Sequence, residues 1–421
     1  MRGILVVMGK MAWTLSHWRW WGLAMGVVVL SLAGLIVWVE SVARMKWAGF
    51  ERGVSELKDE ARRDEIPREP LRTPLDDGNA WTHYLTALKK LEPLHERGTI
   101  VEFYVGDPNA NRSHIQGVLK EWSSTLAELS RGARCRTLSR PPGDEVPRGQ
   151  SDYWTPPERN LTQLALCQAN LLVETGRNAE SLDLLLDLAQ FGRDYVVAGG
   201  RPTYPDALLI LEHALEGIRD HLVSHAWDME DLRKIAPPLK ILDRSFPSWD
   251  AMQKEWVVYL GTWLLDENPY TSQTSLGGEI GRDYFRPDWK HAFSMRLYKA
   301  DAFERGRAAL RRPANERGKR EILPEDYRAN DLEKLIVDST LSWEDPSLDC
   351  RAHVRLLRIA TAFLSGTDVP DLADPFGEGL RMEPIPGGIK IWSVGPDGVD
   401  HAGTGEWKPA AGKDILLTVP R

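Results

Sequence analysis

Nineteen consecutive residues without a charge, Trp21–Val39 (WGLAMGVVVLSLAGLIVWV), constrain this chain more than any other feature it carries. At the helical rise the run extends roughly 28 Å, close to a hydrocarbon core of about 30 Å. The run is therefore read as a membrane helix. Trp18, Trp20 and Trp21 stand at one end, and Trp38 and Trp47 at or beyond the other. Indoles favour the headgroup layer, so these residues form an aromatic belt. A cleaved signal peptide is the competing reading, with Ser41-Val42-Ala43 as its small-residue site. The apolar run exceeds the about 7–15 residues usual for such peptides, and Trp38 and Glu40 crowd that site, so an uncleaved anchor is preferred.

Arg2, Lys10 and Arg19 before the helix balance Arg44, Lys46 and Arg52 after it, so the positive-inside rule gives a tie. A short tail ahead of a first apolar segment commonly stays in the cytoplasm, which places the bulk of the chain outside it. Residues 1–46 carry +4, which leaves −12 for the remainder of a chain whose total is −8. That balance argues against nucleic acid as a partner, since phosphate binding needs a cationic face.

The expected fold is mainly α: an N-terminal transmembrane helix, an α-hairpin array and a small C-terminal antiparallel β module. The segments are a tail (1–20), the membrane helix (21–39), a charged and solvated stalk (40–72), a helical domain (73–365) and the β module (366–421). After the stalk, Asp77 or Asn79 caps a helix whose Trp81, Tyr84, Leu85 and Leu88 recur at helical spacing. From Glu158 an apolar stripe of Leu161, Leu164, Ala165, Leu171 and Leu172 ends at Gly176, and Asn178 opens a second helix. This pair is similar in spacing to a tetratricopeptide-type hairpin, but no clean 34-residue repeat follows. Further helices are expected at 205–223, 228–235, 237–244, 248–265, 288–310, 331–337 and 349–364.

Asp183, Asp187, Gln190 and Asp194 share one helical face, which is read as a solvated face and not as a cation site. Trp249, Trp256 and Trp263 fall seven apart and read as core rather than as a platform for sugar rings. His213, His221 and His225 follow helical spacing and read as structural or exposed. Cys135 and Cys167 are able to pair, but Cys167 also fits the apolar face of its helix as a small hydrophobe. The sequence contains no HExxH, GxSxG or GxxxxGK[ST] signature. A paired-carboxylate site is defined in space and leaves no such signature.

The C-terminal fifty residues carry the one candidate site. Leu380–Ile385 and Ile389–Val394 are strand-like runs joined by Pro386-Gly387-Gly388, and Ile415–Val419 offers a third strand. Between them lies a loop with Gly395, Gly398, Gly403 and Gly405 and the acids Asp397, Asp400 and Asp414. A hard cation needs several oxygens and a backbone able to curl around it, which makes calcium the natural candidate. The alternative is an Asp/Gly turn whose carboxylates bond backbone amides.

Asp374–Gly377, the run Ser393-Val394-Gly395-Pro396-Asp397-Gly398, and Asp414-Ile415 resemble the calcium-loop region of the major pseudopilins of type II secretion. The resemblance covers about one ninth of the chain. It implies Asp397 and Asp414 as side-chain ligands of a structural calcium, with loop carbonyls completing the shell; Asp400 has no firm counterpart. The leader and the glutamate of a pseudopilin N-terminus are not found around Trp21–Val39. The whole chain therefore resembles membrane-anchored bacterial proteins that place a pseudopilin-like module after a helical domain, which implies the inner membrane with the bulk in the periplasm. Two functions follow: a membrane-tethered extracytoplasmic scaffold or interaction protein, or an extracytoplasmic hydrolase of envelope polysaccharide.

Overall fold

The computed structural model describes residues 2–63, 68–95, 112–139, 156–199, 204–224, 228–246, 344–377, 379–409 and 413–420, with scattered helical positions between 254 and 308. The chain divides into two compact units. One comprises residues 1–59, 257–312 and 322–337, the other 60–256, 313–321 and 338–421.

The first unit is organised by α1, which runs unbroken from Arg2 to Arg63. Its interval Leu23–Glu60 is long and apolar enough to cross a membrane. Leu23, Val27, Leu30 and Val37 are all more than half exposed, so none of the described residues covers them. The solvated stalk expected from its charges is only partly correct. Ala43, Phe50, Val54 and Leu57 are buried at helical spacing, and Phe50 meets the Phe303 ring at 4.8 Å. Arg307 pairs with Glu56 at 2.5 Å. Charges on three sides of a helix do not preclude an apolar fourth, and that stripe is what the composition of the stalk conceals.

The second unit begins with β1 (Asp76–Asn79), which pairs in parallel with β2 (Cys135–Thr137). Asn79 Oδ1 accepts the Trp81 amide at 3.2 Å and the Ser139 amide at 2.9 Å, so the expected cap of α2 (Ala80–His95) also ties β1 to the end of β2. α3 (Arg112–Glu121) and α4 (Ser123–Ala133) follow. α5 (Pro156–Glu174) and α6 (Asn178–Gly199) form the expected hairpin, with Gly176 in the turn at φ +73°. α6 packs on α7 (Tyr204–Ser224). Trp81, Tyr84, Leu88, Leu161, Leu164, Leu185, Phe191 and Tyr195 fill the core between α2, α5 and α6. Cys135, Cys167 and Cys350 are buried thiols, with Cys167 on the inner side of α5.

α8 runs from Met229 to Arg244 without a break, where separate helices at 228–235 and 237–244 were expected. Asp228 caps it by accepting the Glu230 and Asp231 amides. Pro237 and Pro238 each remove an amide that would bond four residues back, but the residues left without that bond, Arg233 and Lys234, lie on the exposed side of the helix. α9 (Glu344–Ser365) packs against α8 and α7. The helices expected at 248–265 and 288–310 are described only at scattered helical positions, and the one at 331–337 lies outside the described residues. So do the Trp249, Trp256 and Trp263 stripe and His225.

The C-terminal sheet has the order β3 (Arg381–Ile385), β4 (Gly388–Ser393), β5 (Ile415–Pro420), antiparallel throughout. Pro386 and Gly387 make the two-residue connection, Gly387 with φ +79° at the position where a type II turn needs it. Ile389, Ile391, Leu417 and Val419 alternate inward and join the helical core through α9. Trp392 opposes Leu416, and Ser393 opposes Ile415.

Candidate functional site

Asp374 follows α9 and is nearly fully buried. Its Oδ1 accepts Ser393 Oγ at 2.7 Å and the Phe376 amide at 3.0 Å, while Oδ2 accepts the Val394 amide at 2.8 Å. One carboxylate thus joins the Asp374–Gly377 segment to the end of β4, at the point where the acidic loop begins.

Within the loop each of the three acids of the candidate site is hydrogen-bonded to protein groups. Asp397 Oδ1 accepts the Val399 amide at 2.9 Å and its Oδ2 meets His401 Nε2 at 3.0 Å. The His401 contact, helped by the Val399 amide, holds the Asp397 carboxyl below its ordinary range. Asp400 Oδ1 accepts the Trp392 indole at 3.0 Å and the Ala402 amide at 2.8 Å, and these bonds likewise lower its pKa. Asp400 Oδ2 lies 3.5 Å from Arg381 Nε. Asp414 is completely buried, with Oδ1 accepting the His401 amide at 3.2 Å and Oδ2 the Gly403 amide at 2.6 Å.

Asp397 and Asp414 therefore meet at one residue, His401, the first on its ring and the second on its backbone. Asp400 is directed to Trp392 and Arg381 instead. Among the described residues no group of three His, Cys, Asp or Glu side chains is placed to hold a metal ion. Both Asp414 oxygens accept backbone amides, as a hydrogen-bonded turn requires. Gly405 permits this closure, because a Cβ there would lie 1.7 Å from the Asp414 carbonyl oxygen.

Beyond the acids the loop docks on the helices through two residues that the sequence reading passed over. Trp407 is buried and stacks on His353 of α9, with Arg219 of α7 5.2 Å from its ring centroid. Lys408 Nζ reaches Glu216 at 2.9 Å and Glu212 at 3.3 Å on α7. Glu216 is drawn down to about 2, first by the neighbouring His213 ring at 3.8 Å and then by Lys408. A single tryptophan among glycines and acids was the available signal, since an indole is seldom left in solvent.

The second concentration of ionisable groups lies on α6. The solvated face expected for Asp183, Asp187, Gln190 and Asp194 is not what forms: Asp187, Gln190 and Asp194 are buried. Arg68 reaches Asp194 at 2.7 Å, Tyr84 donates to the same oxygen at 2.8 Å, and Gln190 donates to Asp194 Oδ1 at 2.7 Å. Arg72 bonds Asp187 at 2.8 Å and pairs with Asp183. The Leu71 amide donates to Gln190 at 2.8 Å, and Arg193 donates to the Glu69 carbonyl at 2.7 Å. The arginines of the segment taken as stalk supply the countercharge that lets these acids leave water. Burial still raises Asp187 to about 6, with Arg72 opposing it.

His221 is buried with its Nε2 2.7 Å from Ser181 Oγ, a structural role as expected. Comparison with protein-family models, with curated proteins and with solved structures gives no match.

Proposed function

We propose that this chain is a membrane-tethered scaffold or interaction protein whose helical unit and C-terminal module stand on the periplasmic side of a bacterial inner membrane. The observation that carries the reading is α1. It is apolar, and exposed at every described side chain between Leu23 and Val37, then acquires a buried stripe at Phe50, Val54 and Leu57 without a break. An exposed apolar surface of that length is stable in lipid and not in water. The buried acids of α6 support a structural body over a catalytic one, because their charges are spent on the 68–72 segment. In this reading the terminal β module closes the helical body, held by Trp407 and Lys408.

Alkaline carbonate extraction tests the anchor: the full chain stays in the membrane pellet, and its release into the supernatant would end the proposal. Reporter fusions at Arg421 test the side. A reporter active only outside the cytoplasm is expected, and one active only in the cytoplasm would reverse the orientation.

A further inference from the structure

Arg351, Arg355 and Arg358 stand at i, i+4 and i+7 on α9 and converge on one carboxylate, Asp243, in the last turn of α8. Arg355 Nε donates to Asp243 Oδ1 at 2.9 Å, and its Nη1 donates to the Ala373 carbonyl at 2.6 Å. Arg358 donates to Asp243 Oδ2. Both carboxylate oxygens are thereby used. Arg351 Nε lies 3.6 Å from Oδ1, beyond hydrogen-bond reach, and is buried with no hydrogen-bond partner. The Arg351 side chain as a whole is 39% exposed.

The charges do not balance. Among the described residues Asp243 is the one carboxylate within ion-pair distance of the three guanidinium groups. The negative pole of the α8 C-terminus contributes about another half charge. Roughly one and a half positive charges remain, concentrated on the residue without a hydrogen bond. We propose that this ledge between α8 and α9 is a binding site for a phosphate group, with Arg351 as the principal contact. Phosphate suits the surplus in charge, and the planar guanidinium fork matches two of its oxygens at once. The source is either a soluble phosphate compound or a phospholipid headgroup, and one experiment separates them.

The full-length chain in neutral detergent is melted with and without inorganic pyrophosphate at constant ionic strength, because screening alone weakens any surface charge effect. A saturable rise in melting temperature is expected. Arg351→Gln should weaken binding at least about tenfold, as loss of a charged hydrogen bond does. The same variant should leave the melting temperature without pyrophosphate unchanged or higher, since it removes a surplus like charge. A purely structural Arg351 would instead lower it. In the lipid arm the chain is reconstituted in phosphatidylglycerol and phosphatidylcholine nanodiscs. An Arg351-dependent rise confined to phosphatidylglycerol assigns the phosphate to lipid. No Arg351-dependent response in either arm, or a variant that melts lower without ligand, overturns the proposal.

Discussion

The imidazole of His353 lies flat against the indole of Trp407, with 4.0 Å between centroids and 16° between planes, and its Nε2 donates to the Trp407 carbonyl at 2.7 Å. A carbonyl only accepts, so the neutral ring carries its proton on Nε2 and leaves Nδ1 bare in an apolar setting. Burial lowers the histidine to about 4, and the nearby Lys408 and Arg219 add to the shift.

Acid sensitivity follows from that relationship. The native value lies below the ordinary 6.5, so the unfolded chain binds more protons between the two. The contribution is complete above pH 6.5 and is lost as the pH falls through about 4. The loss amounts to about 3 kcal/mol at most. Denaturant titrations across that window, followed by tryptophan fluorescence, should show His353→Gln losing less stability on acidification than the parent. Equal losses would show that His353 is not the group responsible.

Glu158 has the opposite sign. It is buried, Tyr195 donates to its Oε1 at 2.5 Å, and Oε2 has no hydrogen-bond partner. Burial raises it to about 7, with Tyr195 opposing. The native state holds a proton that the unfolded state releases above 4.5, so this contribution is complete below pH 4.5 and is lost as the pH rises through about 7. Glu158→Gln, which stays neutral, should be more stable than the parent at pH 8 by up to about 3 kcal/mol, and nearly equal to it at pH 4. Because Glu158 and His353 oppose one another, the parent's own pH profile conceals both.

Breaking the Arg68–Asp194 pair should cost more than any surface change. Arg68→Met strands a buried carboxylate with only Tyr84 and Gln190 to solvate it, for a loss of about 3–5 kcal/mol. Adding Asp194→Leu should recover much of that loss, because replacement of a whole buried pair by apolar groups is often neutral. Melting temperatures of the single and double variants decide it. A double variant worse than Arg68→Met would mean that Asp194 has another essential partner.

Asp414→Ala should destabilise the C-terminal loop without any metal present, by about 1–3 kcal/mol for each amide left unpaired. His401 and Gly403 would lose their acceptor. The hydrogen-bonded turn predicts that the melting curve of the parent is the same in millimolar calcium and in chelator. A calcium-dependent rise that Asp397→Ala or Asp414→Ala abolishes would instead establish the cation site.

Periodicity located what periodicity encodes. The stripe Trp81, Tyr84, Leu85, Leu88 marked α2, Gly176 marked the turn of the α5–α6 hairpin, and Pro386-Gly387 marked the β3–β4 connection. Long-range pairing was not legible. Arg68 is 126 residues from Asp194, and nothing local distinguishes an arginine that will be buried from one that will be solvated. The same limit left two readings of the loop open. Its acids were plain in the sequence, but whether an aspartate faces a cation or a backbone amide depends on φ values such as the +55° of Ala402, a residue type that gives no warning of a left-handed backbone.

The continuity of α1 has a mechanical consequence. From Leu23 to Glu60 the helix measures about 57 Å, of which only the first half fits within a bilayer. A rigid rod pivoted near one end is a lever. Adjusting to a bilayer a few ångströms thinner costs a helix little and is met by tilt, and a change of about 10° swings the Glu60 end sideways by about 10 Å. With its apolar half in a bilayer, the helix would convert membrane thickness into lateral displacement near its far end.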